Sequence, residues 1–368
     1  MKNTFGQNIS ITLFGESHGT EIGAVIDGLA PGIAVDEDYI REKLSLRRPS
    51  GRISTARSEK DEFRIVSGVF GGYTTGTPLC LLIPNADTHS KDYSKLKDTP
   101  RPSHADYAAA CKYHGFSDYR GGGHFSGRLT APIVAVGAIV MKALEDKGIR
   151  IGTHIASLGG VKDEAFDALS PQIDAIDGEL PVISSEAGAK MKELILSAAG
   201  DGDSVGGILE TAVTGMPSGV GEPWFDTVEG LLAQAMFSIP AVKGVEFGAG
   251  FGITEMRGSE ANDPMRVENG RVSAAKNNSG GINGGITNGM PIIFRTAVKP
   301  TPSIYKEQMT VDLSSGENVT LKLEGRHDPC IVHRARVVVD AMTALTLADL
   351  LTGRYGTDWL AEREDKLS

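Results

Sequence analysis

Hydrophobic positions alternate through Ile9, Ile11 and Leu13, a period of two that predicts a strand over NISITLF, and the apolar run GAVIDGL predicts a second. From Asp36 to Leu46 the period changes. Ile40 and Leu44 lie four apart behind Asp36, a favoured N-cap residue, so a helix is expected there. FRIVSGVF and PLCLLIP read as further strands. From about Leu129 to Glu145 the chain is apolar all round, which predicts a helix covered on every side and layered between sheets. Helices are expected again at Ser184 to Ala199, closed by Gly200, at Asp226 to Ser238, and at His333 to Leu351. A shorter one should start at Ser103, whose spacing to Asp106 suits a capping box and would put His104 in the first turn, and stop at Gly115. Strands are expected at Gly207 to Val213, Val245 to Met256, Pro291 to Val298 and Val319 to Leu323. Strands and helices do not alternate regularly, so the class expected is α+β rather than a doubly wound parallel sheet.

A chain of 368 residues suggests two or three domains, yet no Pro/Ser-rich linker or composition step divides it, so one large fold over residues 1–368 is admissible. A net charge of −10 and only 6% aromatic residues argue against nucleic acid as a partner. Local basic clusters in so acidic a chain read instead as pockets for small anions. Cys80, Cys111 and Cys330 form no C-x-x-C pair, and the N-terminal residues carry no apolar stretch of signal-peptide type, which points to a reduced, cytoplasmic location. The apolar run Thr130 to Leu144 is too short to span a bilayer. No metal-ligand spacing, P-loop or G-x-G-x-x-G is present, so neither a metal nor Rossmann-type dinucleotide binding is expected.

The chemistry is concentrated between Arg101 and Arg128. His104, His114 and His124 lie there among Arg101, Lys112, Arg120 and Arg128, and Gly121, Gly122 and Gly123 run straight into His124. Consecutive glycines let backbone N–H groups approach a ligand, the cations attract an anion, and histidines exchange protons near neutral pH. GESHG places His18 in a turn at a strand end. It also matches G-x-S-x-G, but an elbow opens a helix and this turn leads into a strand-like segment, so Ser17 is not read as a nucleophile. Arg47, Arg48 and Arg52 head a basic run whose guanidinium forks suit a substrate with more than one anionic group. Two polar stretches, one from Pro84 and KNNSGGINGGITNGMP from Lys276, suit a cover loop and either a donor-rich or a flexible loop.

FGESHG, RRPSGR, RPSHADY, DYRGGG, KGVEFGAGF, GGINGGI, KPTPSI and GRHDPC, in this order, resemble the chorismate synthase family. The resemblance implies a single domain with helices sandwiched between antiparallel sheets, assembled as a homotetramer. It implies a lyase that takes phosphate and a ring proton from 5-enolpyruvylshikimate 3-phosphate to give chorismate, with reduced FMN as cofactor and no net redox change. By resemblance His18 assists departure of phosphate, His104 protonates or hydrogen-bonds reduced flavin, and Asp328 helps flavin N5 take up the substrate proton. Arg47, Arg48, Arg52 and Arg128 would bind substrate or NADPH. Flavin contacts would fall on His124, Phe125, Ser126, Pro240, Ala241, Gly284, Lys299, Pro300, Thr301, Pro302, Ser303 and Arg326. The chain departs from the usual family pattern at HFSGR, where many members carry arginine after the triple glycine, and at Pro240, where others have asparagine. A second reading, a non-catalytic sensor of flavin or a phosphorylated metabolite, would need the anion sites without His18 or Asp328.

Overall fold

The computed structural model describes residues 2–49, 53–54, 61–85, 97–176, 178–268, 270–323 and 327–361. Two five-stranded antiparallel sheets enclose a layer of helices. In the first, the strands run in the order Thr4–Phe5, Ser10–Gly15, Glu21–Asp27, Leu79–Pro84 and Arg64–Ser67. Ile11 faces Ile26 and Leu13 faces Ala24 across the Ser10–Gly15 and Glu21–Asp27 pair. In the second the order is Val242–Phe247, Ile292–Val298, Gly207–Thr214, Arg150–Leu158 and Val161–Lys162.

Among the described residues seven helices accompany the sheets: α1 (Glu37–Arg47), α2 (Asp106–Lys112), α3 (Thr130–Asp146), α4 (Ser185–Gly200), α5 (Val228–Ser238), α6 (Gly258–Ala261) and α7 (Val332–Tyr355). Asp36 caps α1 by accepting the Asp38 and Tyr39 N–H groups, and Ser184 and Thr227 cap α4 and α5. The apolar α3 packs on the first sheet through the Glu21–Asp27 and Leu79–Pro84 strands, and on its other side against α7. α7 in turn covers the Arg150–Leu158 and Gly207–Thr214 strands of the second sheet. Both helices are therefore interior, which is why α3 needs apolar residues around its whole circumference. The stretch Gly127–Asp146, long and apolar enough to cross a bilayer, has 89% of its most apolar window buried inside the protein. Where α3 and α7 cross, a Cβ at Gly137 would stand 2.6 Å from that of Ala341, so the missing side chain sets the helix separation. One contiguous apolar cluster runs from Ile9 to Ala361 through both sheets and these helices.

Three expected elements differ. The strand proposed over Val245 to Met256 stops at Phe247, because Gly248 and Gly250 take φ of +55 and +58 and the chain turns into a 3-10 segment at Gly250–Glu255. The strand expected at Val319 to Leu323 is half of a hairpin, Gln308–Asp312 with Glu317–Leu321. Ser103 does not cap α2: it sits at φ +58, the N-cap is Ala105 without a side-chain bond, and the Asp106 carboxylate is spent on Arg101 and His104. His104 consequently precedes the helix instead of lying in its first turn.

Candidate active site

A cavity of about 730 Å³ opens where the C-terminal end of α1, the N-terminal ends of α3 and α7, and loops of the second sheet converge. His104, His124, Phe125, Ser126 and Arg128 line one side; Pro240, Ala241, Lys299, Thr301, Pro302 and Ser303 line another. Asp328, Arg334 and Arg47 close the end. Segments about 280 residues apart in sequence therefore face one space, as Arg47 and Asp328 do. Gly284 lies outside the lining, in the hairpin Ile282–Asn283 with Ile286–Thr287, and Arg48 and Pro300 are outside it too. Arg52 and Arg326 lie outside the described residues, as does most of the candidate cover loop after Asn85.

The triple glycine gives histidines room. Gly121, Gly122 and Gly123 have φ of +58, +84 and +54, a conformation closed to most side chains. A Cβ on Gly121 would fall 2.5 Å from the His18 ring, and one on Gly122 would fall 3.2 Å from that of His104. His18 and His104, far apart in sequence, thus lean on adjacent residues of one turn; His104 lines the cavity, and His18 is not among its lining residues. The Ser17 N–H donates to the Gly123 carbonyl at 3.1 Å, which ties the His18 turn to the glycines. Ser17 leads into the Glu21–Asp27 strand and not into a helix, so the elbow motif lacks its geometry.

His104 is oriented by a carboxylate. Its Nδ1 lies 2.6 Å from Asp106 Oδ1, and Arg101 donates to Asp106 Oδ2 and Oδ1 at 2.8 Å each. Burial works against charge on Asp106, but hydrogen bonds from Arg101 and His104 outweigh it and hold the carboxyl well below the usual range. Since the carboxylate can only accept, Nδ1 carries the hydrogen, leaving Nε2 for a ligand. His124 is engaged differently. Its Nδ1 donates to the Gly15 carbonyl at 2.8 Å, so it braces the end of the Ser10–Gly15 strand while the ring lines the cavity.

The basic wall has its own counter-ions. Arg47 donates to Asp61 Oδ2 at 3.0 Å, Arg128 donates to Asp61 Oδ1, and all three side chains are buried. Arg128 also reaches Asn85 Oδ1 and the Pro84 carbonyl, each at 3.1 Å. Arg334, in the first turn of α7, donates to Asp328 and to the Arg47 carbonyl. On the facing side Lys299 donates to the Ser103 carbonyl, and burial followed by the charge of nearby Lys243 lowers its pKa. The buried Thr301 Oγ1 and Arg48 Nε have no hydrogen-bond partner among the described residues.

Asp61, Asp106 and Arg334 were not read as site residues from the sequence. Asp61 lies in a run of mixed charge that resembles solvated surface, and Asp106 passed for a capping residue. Arg334 left a usable signal: a cation in the first turn of a helix opposes the macrodipole and calls for a carboxylate nearby.

Comparison with known proteins places the chain in a family. A family model described as chorismate synthase matches residues 9–352. Chorismate synthase of Pyrococcus abyssi is 51% identical over 350 residues, covering 95% of this chain and 97% of that protein. That of Thermococcus gammatolerans is 49% identical over 355 residues, with the same coverage. A solved structure titled as a crystal structure of chorismate synthase superposes with a TM-score of 0.75 at 31% identity, covering 95% of this chain and 94% of that one. The two-sheet, buried-helix α+β architecture, the ordered motifs and these similarities all lead to one assignment: the chain belongs to the chorismate synthase family.

Proposed function

We propose that this cavity converts 5-enolpyruvylshikimate 3-phosphate to chorismate, by anti-1,4-elimination of phosphate and a ring proton, with reduced FMN bound beside the substrate. Family membership makes the chain a lyase of aromatic amino-acid biosynthesis. The observation that carries the site assignment is the convergence on one cavity of an oriented imidazole, His104, a carboxylate, Asp328, and two guanidinium groups, Arg47 and Arg128.

The residues present suit a phosphorylated flavin. Lys243 and Lys299 lie close together on the wall, and Thr301 presents a buried hydroxyl whose oxygen still lacks a partner among the described residues. Pro240, Ala241, Phe125, Pro302 and Ser303 supply apolar and small polar surface of the kind an aromatic ring system needs. Reduced flavin, when bound, supplies electron density that eases cleavage of the allylic carbon–oxygen bond. The chain's own part is to bind and to move protons. Arginines at the wall neutralise the anionic groups of the substrate, and His18, outside the lining but against the same glycine turn as His104, would protonate the departing phosphate. Asp328, held by Arg334, takes the ring proton on the other side of the elimination. His104, fixed by Asp106, donates a hydrogen bond or proton from Nε2 toward the cofactor. NADPH binding near Arg48 and Arg52, the roles of Gly284, Pro300 and Arg326, a homotetrameric assembly and a cytoplasmic location belong to the same proposal.

The test is phosphate release from 5-enolpyruvylshikimate 3-phosphate under anaerobic conditions with dithionite-reduced FMN. Turnover with reduced but not oxidised FMN is expected. Equal rates without flavin overturn the cofactor assignment, and tight binding of substrate and FMN without turnover would favour the sensor. NADPH oxidation by the protein with FMN, measured without dithionite, decides whether it reduces its own flavin.

A further inference from the structure

Asp61 is buried between two arginines that both line the cavity. Its side chain is fully enclosed, those of Arg47 and Arg128 are only 8% and 7% exposed, and each guanidinium takes a different oxygen of the one carboxylate. The two arginines come from unrelated elements, the last residue of α1 and the turn before α3. Nothing in either element makes them neighbours. Two guanidinium groups side by side repel, and at this burial the repulsion is poorly screened, so a shared counter-ion is needed to hold them in one wall. Burial alone would push the Asp61 carboxyl toward its neutral form, but the charges of Arg47 and Arg128 outweigh it and keep it ionised. The backbone contributes a second sign that the position is imposed from outside, since Asp61 has φ of +50 although it is not glycine.

The bracing extends further. Arg128 also binds the Asn85 side chain, whose amide donates to the Glu16 and Gly19 carbonyls, and these flank His18. Arg47 offers its carbonyl to Arg334, the partner of Asp328. Asp61 is therefore joined through Arg128 and Asn85 to the His18 turn, and through Arg47 and Arg334 to Asp328.

We propose that Asp61 is a positioning residue of the anion-binding wall: its carboxylate pairs Arg47 with Arg128 and cancels one of their two charges. The substrate then meets a preformed fork of two guanidinium groups held at a fixed spacing. This rests on the reading that Arg47 and Arg128 take the anionic groups of the substrate. With Asp61→Asn the arginines should separate, and the KM for 5-enolpyruvylshikimate 3-phosphate should rise about tenfold or more, as for loss of one charge-assisted contact. The kcat should change less, and inorganic phosphate should weaken in parallel as a competitive inhibitor, which a purely structural role would not require. A folded Asp61→Asn protein with unchanged KM, or one that binds phosphate more tightly because a competing internal anion has gone, overturns the inference. Should Asp61→Asn not fold, Asp61→Glu keeps the charge but displaces the carboxylate by one methylene. It should fold, by circular dichroism and thermal melting, and still raise KM, and a normal KM there is equally fatal. Arg47→Gln and Arg128→Gln separate the two levels. If they raise KM while the Asp61 variants do not, Asp61 alone loses its role; if they too bind substrate normally, the substrate assignment falls and the inference with it.

Discussion

Alanine at Gly121 would place its Cβ 2.5 Å from the His18 ring, at a φ of +58 that a side chain tolerates poorly. The His18 ring would have to move, and a shift of about 1 Å in a reacting group costs on the order of 10²-fold in rate. Gly121→Ala should therefore lower kcat by about that factor with little change in substrate KM, read by anaerobic phosphate release. At Asp328 the expected loss is larger. Asp328→Asn keeps size and removes charge and basicity, so FMN and substrate should still titrate normally while kcat falls about 10²- to 10⁴-fold. A normal kcat in that variant would remove Asp328 from the proton path. The sequence singled out His18 and Asp328 as titratable residues in Gly- or Pro-marked turns, and the family resemblance gave these two and His104 their proposed roles. Asp61 was not legible there, since its meaning comes from Arg47 and Arg128, 14 and 67 positions away.

Among the elements, α3 was the most legible, and its length and burial follow directly from an unbroken apolar pattern. The pattern does not say which neighbour touches which face. Gly137 marks the crossing with α7, and there a β-branched side chain has no room beside Ala341. Gly137→Val should destabilise the fold by about 1–3 kcal/mol or more through overpacking, seen as a lower thermal midpoint with the cavity residues unchanged. Of the hairpin Gln308–Asp312 with Glu317–Leu321 only the second strand was expected, as Val319 to Leu323. Met309 and Val311 alternate with polar residues in the first strand but stay on the exposed side. The Lys276 segment shows how far composition misleads. It is fastened by Asn277, whose amide donates to the Ala168 and Pro291 carbonyls at 2.9 Å and whose oxygen accepts the Gly281 N–H at 2.7 Å.

Across the whole molecule, the interior helix layer carries titratable groups that influence stability more than catalysis. Asp340, in the middle of α7, accepts from Thr153 of the second sheet at 2.5 Å, and burial raises its pKa to about 6 against the opposing hydrogen bond and the charges of Arg336 and Lys43. A carboxyl that holds its proton more tightly when folded contributes most at low pH, and that contribution is lost as pH rises from the unfolded value near 3.8 through about 6. Asp340→Asn, which can still accept from Thr153, should therefore raise stability at pH 8 by about 1–3 kcal/mol and leave it nearly unchanged at pH 4. Thermal unfolding at the two pH values checks this, and equal effects at both would contradict it. The sequence by itself determined the long helices, about half of the strands, the α+β class and the residue types able to do the chemistry, but not the nine-residue interior strand Arg150–Leu158. Those depend on local periodicity, capping and turn propensities, which act over a few residues. Only the tertiary structure decided that Arg128 and Arg47 share Asp61, that His104 is oriented by Asp106, and that Arg334 holds Asp328. It also decided that the chain turns at Gly248, where a Cβ would strike the Asn278 carbonyl at 2.1 Å. Electrostatic pairing and close approach act through space, and a linear pattern carries no record of which distant segments will meet.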